Sequence, residues 1–366
     1  MKTQKNNRKY DNNKAKESRA LNLFAEMMIE KIEAIKDNWH KPWFTEGLSW
    51  PRNLQGREYN GMNTLMLLMH CEKQGYQTPV FLTHNRCLSM NFIDSPQGRV
   101  PAIDADGNRL PWCHILKGEK SFPVLLTTFT VKDADGNKIK YEDYKLLSAD
   151  EQAKYTVFPG TTVYDVFNID QTNLKEARPE LYASLTQSAS RPAPESDGFS
   201  FPAFDLMVTE NKWICPIENK HQDKACYSPS LNRILLPEKD QFEKGQSYYS
   251  TAFHECIHST GYKEQLNRLS LTSFGSPEYA REELVAELGA ALTAQRYGFD
   301  ACINDESAAY LKSWLKSLKE QPQFIKTTLT DVRRATSMLT QCLDALGAEV
   351  KEQEAKPKRK RTRKAA

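Results

Sequence analysis

The sequence has no closely spaced pair of cysteines and no long apolar run, and these absences exclude several classes of protein. Its 366 residues include eight scattered cysteines, none of them in a CxxC pair. This distribution argues against a disulfide framework and against a cysteine-built zinc ribbon, so we expect free thiols in a reducing cytoplasm. A membrane span needs about 20 predominantly apolar residues, and the basic, polar N-terminus lacks the apolar segment of a secretory signal. We therefore expect no membrane partner.

Histidine is scarce and the net charge is small, but the charge is unevenly distributed. The chain has seven histidines and a net charge of +3. Seven cationic side chains lie between Lys356 and Lys364, so the rest of the chain carries a net charge of −4. Such a tail attracts polyanions without reading a sequence, but it is also typical of a solvated, disordered solubility tail. Both interpretations stay open.

Hydrophobic periodicity predicts an α+β protein with two domains. Apolar residues recur at helical spacing from Leu21 to Ile35, and the pattern shifts towards the two-residue period of strands after Trp112. A stretch rich in Ser, Pro and Ala then precedes a mostly helical second half with a few short strands. We expect a disordered basic arm at 1–17, an α+β domain at 18–175, a linker at 176–200, a mostly helical domain with a small sheet at 201–346, and a disordered basic tail at 347–366.

The stretch TAFHECIHSTGY, residues 251–262, contains two histidines at positions i and i+4. These positions share one face of a helix, so His254 and His258 can bind one metal ion, while Glu255 lies beside the open coordination position. This is the arrangement of a zinc hydrolase, in which the ion lowers the pKa of its water to about 7 and the glutamate takes the proton. The alternative is an ordinary helix that carries two partly exposed histidines.

A second helix, predicted over residues 276–298, supplies the carboxylate that such a site needs. At about 100° per residue, Glu283 and Glu287 lie on a face that is otherwise alanine, whereas Glu278 and Glu282 point towards water. Because a buried carboxylate needs a partner, we predict Glu283 as the third zinc ligand and Glu287 as the acceptor that orients a histidine. The reverse assignment of this pair and a solvated pair of carboxylates are the alternatives.

Two histidines followed by a glutamate on a later helix form the ligand set of the gluzincins, in which an open fourth position makes the zinc catalytic. The segment NRILLP just upstream would suit a sheet edge that holds an extended peptide, or an ordinary core strand. Several tyrosines lie nearby in the sequence, so the donor that stabilises an oxyanion stays unassigned. Cys256 faces away from the histidines and is expected in the core.

Basic and aromatic residues alternate in part of the first half of the chain. Proteins that bind single-stranded DNA combine a basic groove with aromatic side chains on which bases stack. The candidate DNA-binding residues are Trp39, Lys41, Trp43, Arg52, Arg57, Tyr59, Asn60, Asn63, Lys117 and Lys120. Tryptophans beside a short helix more often lie in a protein core, so packing is the alternative for this set.

Several segments of the sequence, including CYSPSLNRILLP at 226–237 and four others, resemble the ArdC-type antirestriction proteins that conjugative plasmids and other mobile genetic elements carry. The four others are NLQGREYNGMNTLMLL at 53–68, TVYDVFNIDQT at 162–172, YYSTAFHECIHSTGY at 248–262 and FGSPEYAREELVAELGAAL at 274–292. The resemblance implies an N-terminal domain that binds single-stranded DNA without sequence preference and a C-terminal zincin-like metallopeptidase domain, in a bacterial cytoplasm. It also implies protection of incoming single-stranded DNA from host restriction.

Three functions are compatible with these patterns. The first is a zinc metallopeptidase tethered to single-stranded DNA, with a protein substrate met on that DNA. The second is a non-enzymatic protein that coats single-stranded DNA and holds a structural or vestigial metal. The third is a plasmid primase accessory protein, which ranks last because the sequence shows no acidic cluster for two-metal nucleotidyl transfer.

Overall fold

The protein has an α+β fold, as predicted, in a computed structural model that describes residues 2–35, 48–96, 98–187, 200–242, 244–269, 276–299, 311–320 and 324–355. The helices are α1 (Lys2–Ile35), α2 (Met62–Gln74), α3 (His84–Ser89), α4 (Tyr141–Lys145), α5 (Ala149–Gln152), α6 (Leu174–Ala177), α7 (Pro179–Gln187), α8 (Pro202–Thr209), α9 (Gly245–Ser259), α10 (Pro277–Tyr297), α11 (Leu311–Glu320) and α12 (Phe324–Ala355). Over these ranges, no helix combines the length and the apolar composition that crossing a membrane requires.

The strands form one larger sheet and two small ones. They are β1 (Arg52–Asn53), β2 (Val80–Thr83), β3 (Phe92–Ser95), β4 (Gly98–Pro101), β5 (Phe122–Lys132), β6 (Lys138–Ile139), β7 (Thr156–Asn168), β8 (Ile217–Lys220), β9 (Cys226–Ser228) and β10 (Arg233–Pro237). The larger sheet has the order β1-β2-β7-β5-β6, the second has the order β8-β10-β9, and β3 pairs with β4.

The chain divides into two compact units that alternate along the sequence. We call them the sheet unit (Met1–Met27, Pro51–Tyr59 and Lys73–Ala189) and the helical unit (Met28–Trp50, Asn60–Glu72 and Ser190–Ala366). Residues 28–50 and 60–72, which we predicted in the N-terminal domain, therefore belong to the helical unit. Apolar side chains of both helices are buried, among them Met28 and Ile32 of α1 and Leu65 of α2, and sequence order does not reveal which core a helix joins.

The long antiparallel pair β5–β7 dominates the sheet unit. Its register runs from Phe122↔Val166 to Lys132↔Thr156, whereas β2 pairs only with the last three residues of β7. Beyond that point the described strands add only the two residues of β6, so the rest of the pair extends as a two-stranded ribbon. The unit's core lies at the other end, where Val80 and Leu82 of β2 pack with Ile169.

In the helical unit, the small sheet lies beside α9. Strand β10 pairs with β8 in parallel and with β9 in antiparallel orientation, and its Ile234 and Leu236 are buried. Of the two alternatives for NRILLP, the structure therefore has the core strand. The sheet edge nearest to the histidine helix is β9, whose three residues are too few to give a recognisable period in the sequence.

Three segments predicted to lack structure are helical where they are described. Residues 2–17 form the first half of α1. Asn13 of this helix donates a hydrogen bond to the Thr161 carbonyl of β7, and Lys16 lies 3.9 Å from Asp165. Residues 176–187 of the predicted linker fall in α6 and α7, and residues 347–355 of the predicted tail continue α12. Residues 188–199 and 356–366 lie outside the described residues.

Candidate metal centre

Helix α9 places both histidines on one face. Its N-terminus begins at Gly245, and its C-terminus is closed by backbone hydrogen bonds from Thr260 to Cys256 and Ile257. His254 is buried and His258 is nearly so, while Cys256 is buried in the apolar core, as predicted.

Helix α10 crosses α9 at close range. Ser276 caps its first turn by accepting a hydrogen bond from the Tyr279 amide, and Gly298 ends it with φ of 79°. Gly289 lies at the crossing, where a Cβ atom would stand 2.9 Å from Cγ1 of Ile257. The absence of a side chain there brings the carboxylates of α10 within reach of the histidines of α9.

Three potential metal ligands converge between these helices. The Nε2 atoms of His254 and His258 are 3.0 Å apart, and the Glu283 carboxylate oxygens lie 3.5 Å from the first and 3.7 Å from the second. A tetrahedral ion with bonds of about 2.0–2.1 Å holds its ligand atoms roughly 3.3 Å apart. The three side chains therefore fit one divalent ion, and all three ligand atoms lie within 4.8 Å of one another.

The electrostatics of the site favour a positive charge between the three ligands. Burial lowers the pKa of His254, but Glu283, Glu287 and Glu255 outweigh that effect and raise the pKa to about 9. Burial raises the pKa of Glu283, yet the two histidines and a hydrogen bond from Tyr279 bring it down to about 2. Without an ion, a proton on His254 supplies the positive charge that these carboxylates require.

Glu287 lies on the far side of the His254 ring from the ligand atoms. Its Oε1 is 3.7 Å from Nδ1 of His254, beyond hydrogen-bond length, and that Nδ1 is buried without a hydrogen-bond partner. A small rotation of the ring or of the carboxylate would make the bond. Glu287 therefore lies where a residue that orients the His254 ring through Nδ1 would have to lie.

Glu282 was predicted to point towards water, and this prediction is wrong. The side chain is buried, and its Oε1 lies 3.2 Å from Nδ1 of His258. Arg268, in the loop after α9, donates hydrogen bonds of 2.8 Å to both of its oxygens and thereby covers this face of α10. Helical periodicity misplaced Glu282 because it cannot detect a loop that folds over the helix. Glu278 is exposed, as predicted.

Arg268 also fixes the end of the histidine helix, a role that the sequence analysis missed. Its guanidinium donates to Oγ1 of Thr260 at 3.0 Å and to the carbonyl of Ile257 at 2.9 Å. The side chain is only 3% exposed. The one available signal was an arginine within the segment that follows Gly261, which is too general to identify a role.

Glu255 is held by the edge strand of the small sheet. Its Oε2 accepts a hydrogen bond of 2.7 Å from the backbone amide of Tyr227 in β9. The carboxylate is buried beside the two histidines on the same helix, but it is not among the three converging ligands.

The predicted DNA-binding residues fall partly outside the described residues and partly in two different units. Trp39, Lys41 and Trp43 lie outside the described residues. Arg52 donates a hydrogen bond to the Leu185 carbonyl, and Tyr59 is partly buried edge-on against Phe81, where burial raises its pKa to about 12. Arg57, Lys117 and Lys120 are exposed in the sheet unit, whereas Asn60 and Asn63 belong to the helical unit.

Two protein families match successive parts of the chain. Residues 18–167 match the N-terminal domain of the anti-restriction factor ArdC, and residues 209–330 match the zincin-like metallopeptidase family. The crystal structure of metal-free ArdC from the R388 plasmid aligns with a TM-score of 0.61 at 24% identity and covers 88% of this chain and 98% of that one. The Mn(II)-bound structure of the same protein gives a TM-score of 0.59.

Similar sequences occur in longer proteins and in one of comparable length. A DNA primase TraC of Escherichia coli is 26% identical over 326 residues, which cover 85% of this chain but only 26% of the primase. A second TraC is 27% identical and only 19% of its length is covered. Protein y4eC of Sinorhizobium fredii is 25% identical over 332 residues, covering 88% of this chain and 92% of that protein. The matched families and the shared fold together identify this chain as a member of the ArdC-type family, with an ArdC N-terminal domain followed by a zincin-like metallopeptidase domain.

Proposed function

We propose that the protein is an antirestriction protein of a mobile genetic element that binds single-stranded DNA and carries a zinc-dependent peptidase site. The observation that carries the peptidase part is the convergence of His254, His258 and Glu283, with the Glu255 carboxylate beside them. The antirestriction part rests on the similarity to ArdC of the R388 plasmid, which is described as an antirestriction protein.

The metal that we propose is one zinc ion per chain, held by His254, His258 and Glu283. Two imidazole nitrogens and one carboxylate suit zinc, although nitrogen and oxygen donors also accept other divalent ions, and the R388 protein has a Mn(II)-bound structure. When bound, such an ion acts as a Lewis acid and lowers the pKa of a coordinated water.

The residues around the three ligands include a candidate general base and two carboxylates that can orient the histidine rings. We assign Glu255 as the general base, because its carboxylate can accept a proton beside the ligand atoms while the Tyr227 amide fixes its orientation. Glu282 and Glu287 face the Nδ1 atoms of His258 and His254, so each can hold its ring with Nε2 directed at the ion. The substrate of this chemistry would be a protein met on the DNA.

The main alternative is a protein that coats single-stranded DNA and keeps its metal for structural reasons. The bond between Glu255 and the backbone of β9 favours it, because that bond also gives the glutamate a purely structural use. A primase accessory role is a third candidate, supported by the similarity to the TraC primases.

The variant Glu255→Gln separates the first two functions. It keeps the acceptor for the Tyr227 amide but cannot take a proton, so metal content, melting temperature and DNA affinity should match those of the wild type. Conjugation into a restricting host measures antirestriction, and a casein or recipient-lysate digest measures proteolysis. Loss of both with intact metal and DNA binding supports the enzyme. Unchanged antirestriction supports the coating protein.

A further inference from the structure

Part of the sheet unit presents exposed aromatic side chains on an open face. On the β5–β7 ribbon, Leu126, Phe158 and Tyr164 are 43%, 49% and 45% exposed. The register places Leu126, Thr128, Thr130 and Lys132 opposite Thr162, Gly160, Phe158 and Thr156, so these side chains share one face with Tyr164, which lies opposite Val124. We call this the aromatic face of the ribbon.

The other side of the ribbon is partly covered by α4, although Phe129 on that side is still 39% exposed. Val131 is buried there, and Phe129 stacks on Tyr141 of α4 with ring centroids 4.2 Å apart. The carboxylates of α4, Glu142 and Asp143, belong to the helix that packs on this second side. The aromatic face itself carries threonines, a glycine and one lysine, and none of its residues is acidic.

A strongly basic helix contacts the same ribbon. Residues 2–19 of α1 include seven Lys or Arg and two acidic residues, a net charge of +5. Asn13 donates a hydrogen bond to the carbonyl of Thr161, and Lys16 lies 3.9 Å from Asp165, so α1 contacts β7 at these two residues. Lys14, Lys16 and Arg19 are exposed.

We propose that single-stranded DNA binds across the aromatic face, with bases stacked on Phe158 and Tyr164 and phosphates held by Lys14, Lys16 and Arg19 of α1. This inference rests on the DNA-binding part of the proposed function and gives it a location other than residues 39–63. Single-strand binders combine such aromatic platforms with a basic track. Lys132 adds a cation 5.4 Å from the centre of the Phe158 ring, beside the position of a stacked base. The threonine hydroxyls between the rings can donate to bases or phosphates.

The test measures the affinity of the full chain for a fluorescein-labelled oligothymidylate by fluorescence anisotropy over a series of salt concentrations. The double variant Phe158→Ala/Tyr164→Ala should weaken binding by roughly 10- to 100-fold, because each stacked base loses its aromatic platform. The triple variant Lys14→Gln/Lys16→Gln/Arg19→Gln should reduce the slope of log affinity against log salt by about 2, which is roughly 0.7 for each lost phosphate contact.

The matched control is Trp112→Ala, which removes an exposed aromatic side chain of the same unit that lies outside the ribbon. It should leave affinity unchanged, and melting temperatures should show that all variants fold. Photocrosslinking with 5-iododeoxyuridine should label Phe158 or Tyr164. Wild-type affinity in the double variant would refute this location while leaving DNA binding intact, and an equal loss in Trp112→Ala would refute it as well. Failure of the wild-type chain to bind oligothymidylate would instead refute the proposed function.

Discussion

His258 and Arg268 are joined through a single carboxylate, that of Glu282. Nδ1 of His258 lies 3.2 Å from Oε1 of Glu282, and the Arg268 guanidinium donates to both oxygens. Burial is the largest influence on the pKa of Glu282 and by itself would raise it. The paired arginine balances the negative charge of the carboxylate and keeps it ionised. The pKa of Glu282 is lowered overall, because Arg268 and His258 outweigh the effect of burial.

Replacing this carboxylate should weaken metal binding. We expect Glu282→Gln to reduce the affinity for zinc by about 10- to 100-fold, because an amide orients the His258 ring less firmly and makes it a weaker ligand. Competition with a chromophoric chelator measures the affinity. The exposed Glu278→Gln is the matched control on the same helix and should leave affinity unchanged. Equal affinities for both variants would show that Glu282 has no influence on the ligand.

Removing the arginine should chiefly affect stability. Arg268→Met removes the guanidinium that pairs with the buried Glu282 carboxylate, so we expect the free energy of unfolding to fall by about 3–5 kcal/mol. Adding Glu282→Leu should recover part of the loss. Urea denaturation measures both. The exposed pair of Lys316 and Glu320, 4.0 Å apart, provides the comparison, since Lys316→Met should change stability by less than about 0.5 kcal/mol. A similarly small loss of stability for Arg268→Met would show that the buried Arg268–Glu282 pair is not stabilising.

At the helix crossing, the effect of Gly289→Ala on stability should depend on whether Ile257 is present. An alanine at position 289 gains up to about 1 kcal/mol of helix propensity, but its Cβ would stand 2.9–3.0 Å from three atoms of Ile257. Overpacking of this kind costs about 1–3 kcal/mol, so Gly289→Ala should be destabilising. In an Ile257→Ala background the same substitution should be neutral or stabilising, because all three atoms are gone. Chemical denaturation of the four proteins in this cycle tests it, and destabilisation of equal size in both backgrounds would refute the steric explanation.

Metal binding should raise the thermal stability of the protein. An ion that binds only the folded chain stabilises it by about 4 kcal/mol at a concentration 1,000 times its dissociation constant. We therefore expect a higher melting temperature with zinc and a reversal with EDTA. His258→Ala and Glu283→Ala should remove the response, whereas His221→Ala, which changes an exposed histidine, should retain it. A response that survives the loss of Glu283 would identify a different third ligand.

Local periodicity was sufficient to place the candidate ligands on the faces of their helices. His254 and His258 share a face because they are four residues apart, and Glu283 and Glu287 share one for the same reason. The caps at Ser276 and Gly298 gave the limits of the second helix, which agree with the structure. Spacing alone could not tell that the two helices meet, although the small residues on α10, including Gly289, were consistent with a close approach.

The sequence by itself determined which residues could bind a metal, because that choice depends on side-chain chemistry and on the fixed geometry of a helix. Only the tertiary structure decided that Glu282 faces a histidine, that β9 rather than β10 contacts Glu255, and that aromatic residues of the β5–β7 ribbon are exposed. Each of these features depends on how loops close and on which faces other elements cover, and both are set by contacts between residues far apart in the chain.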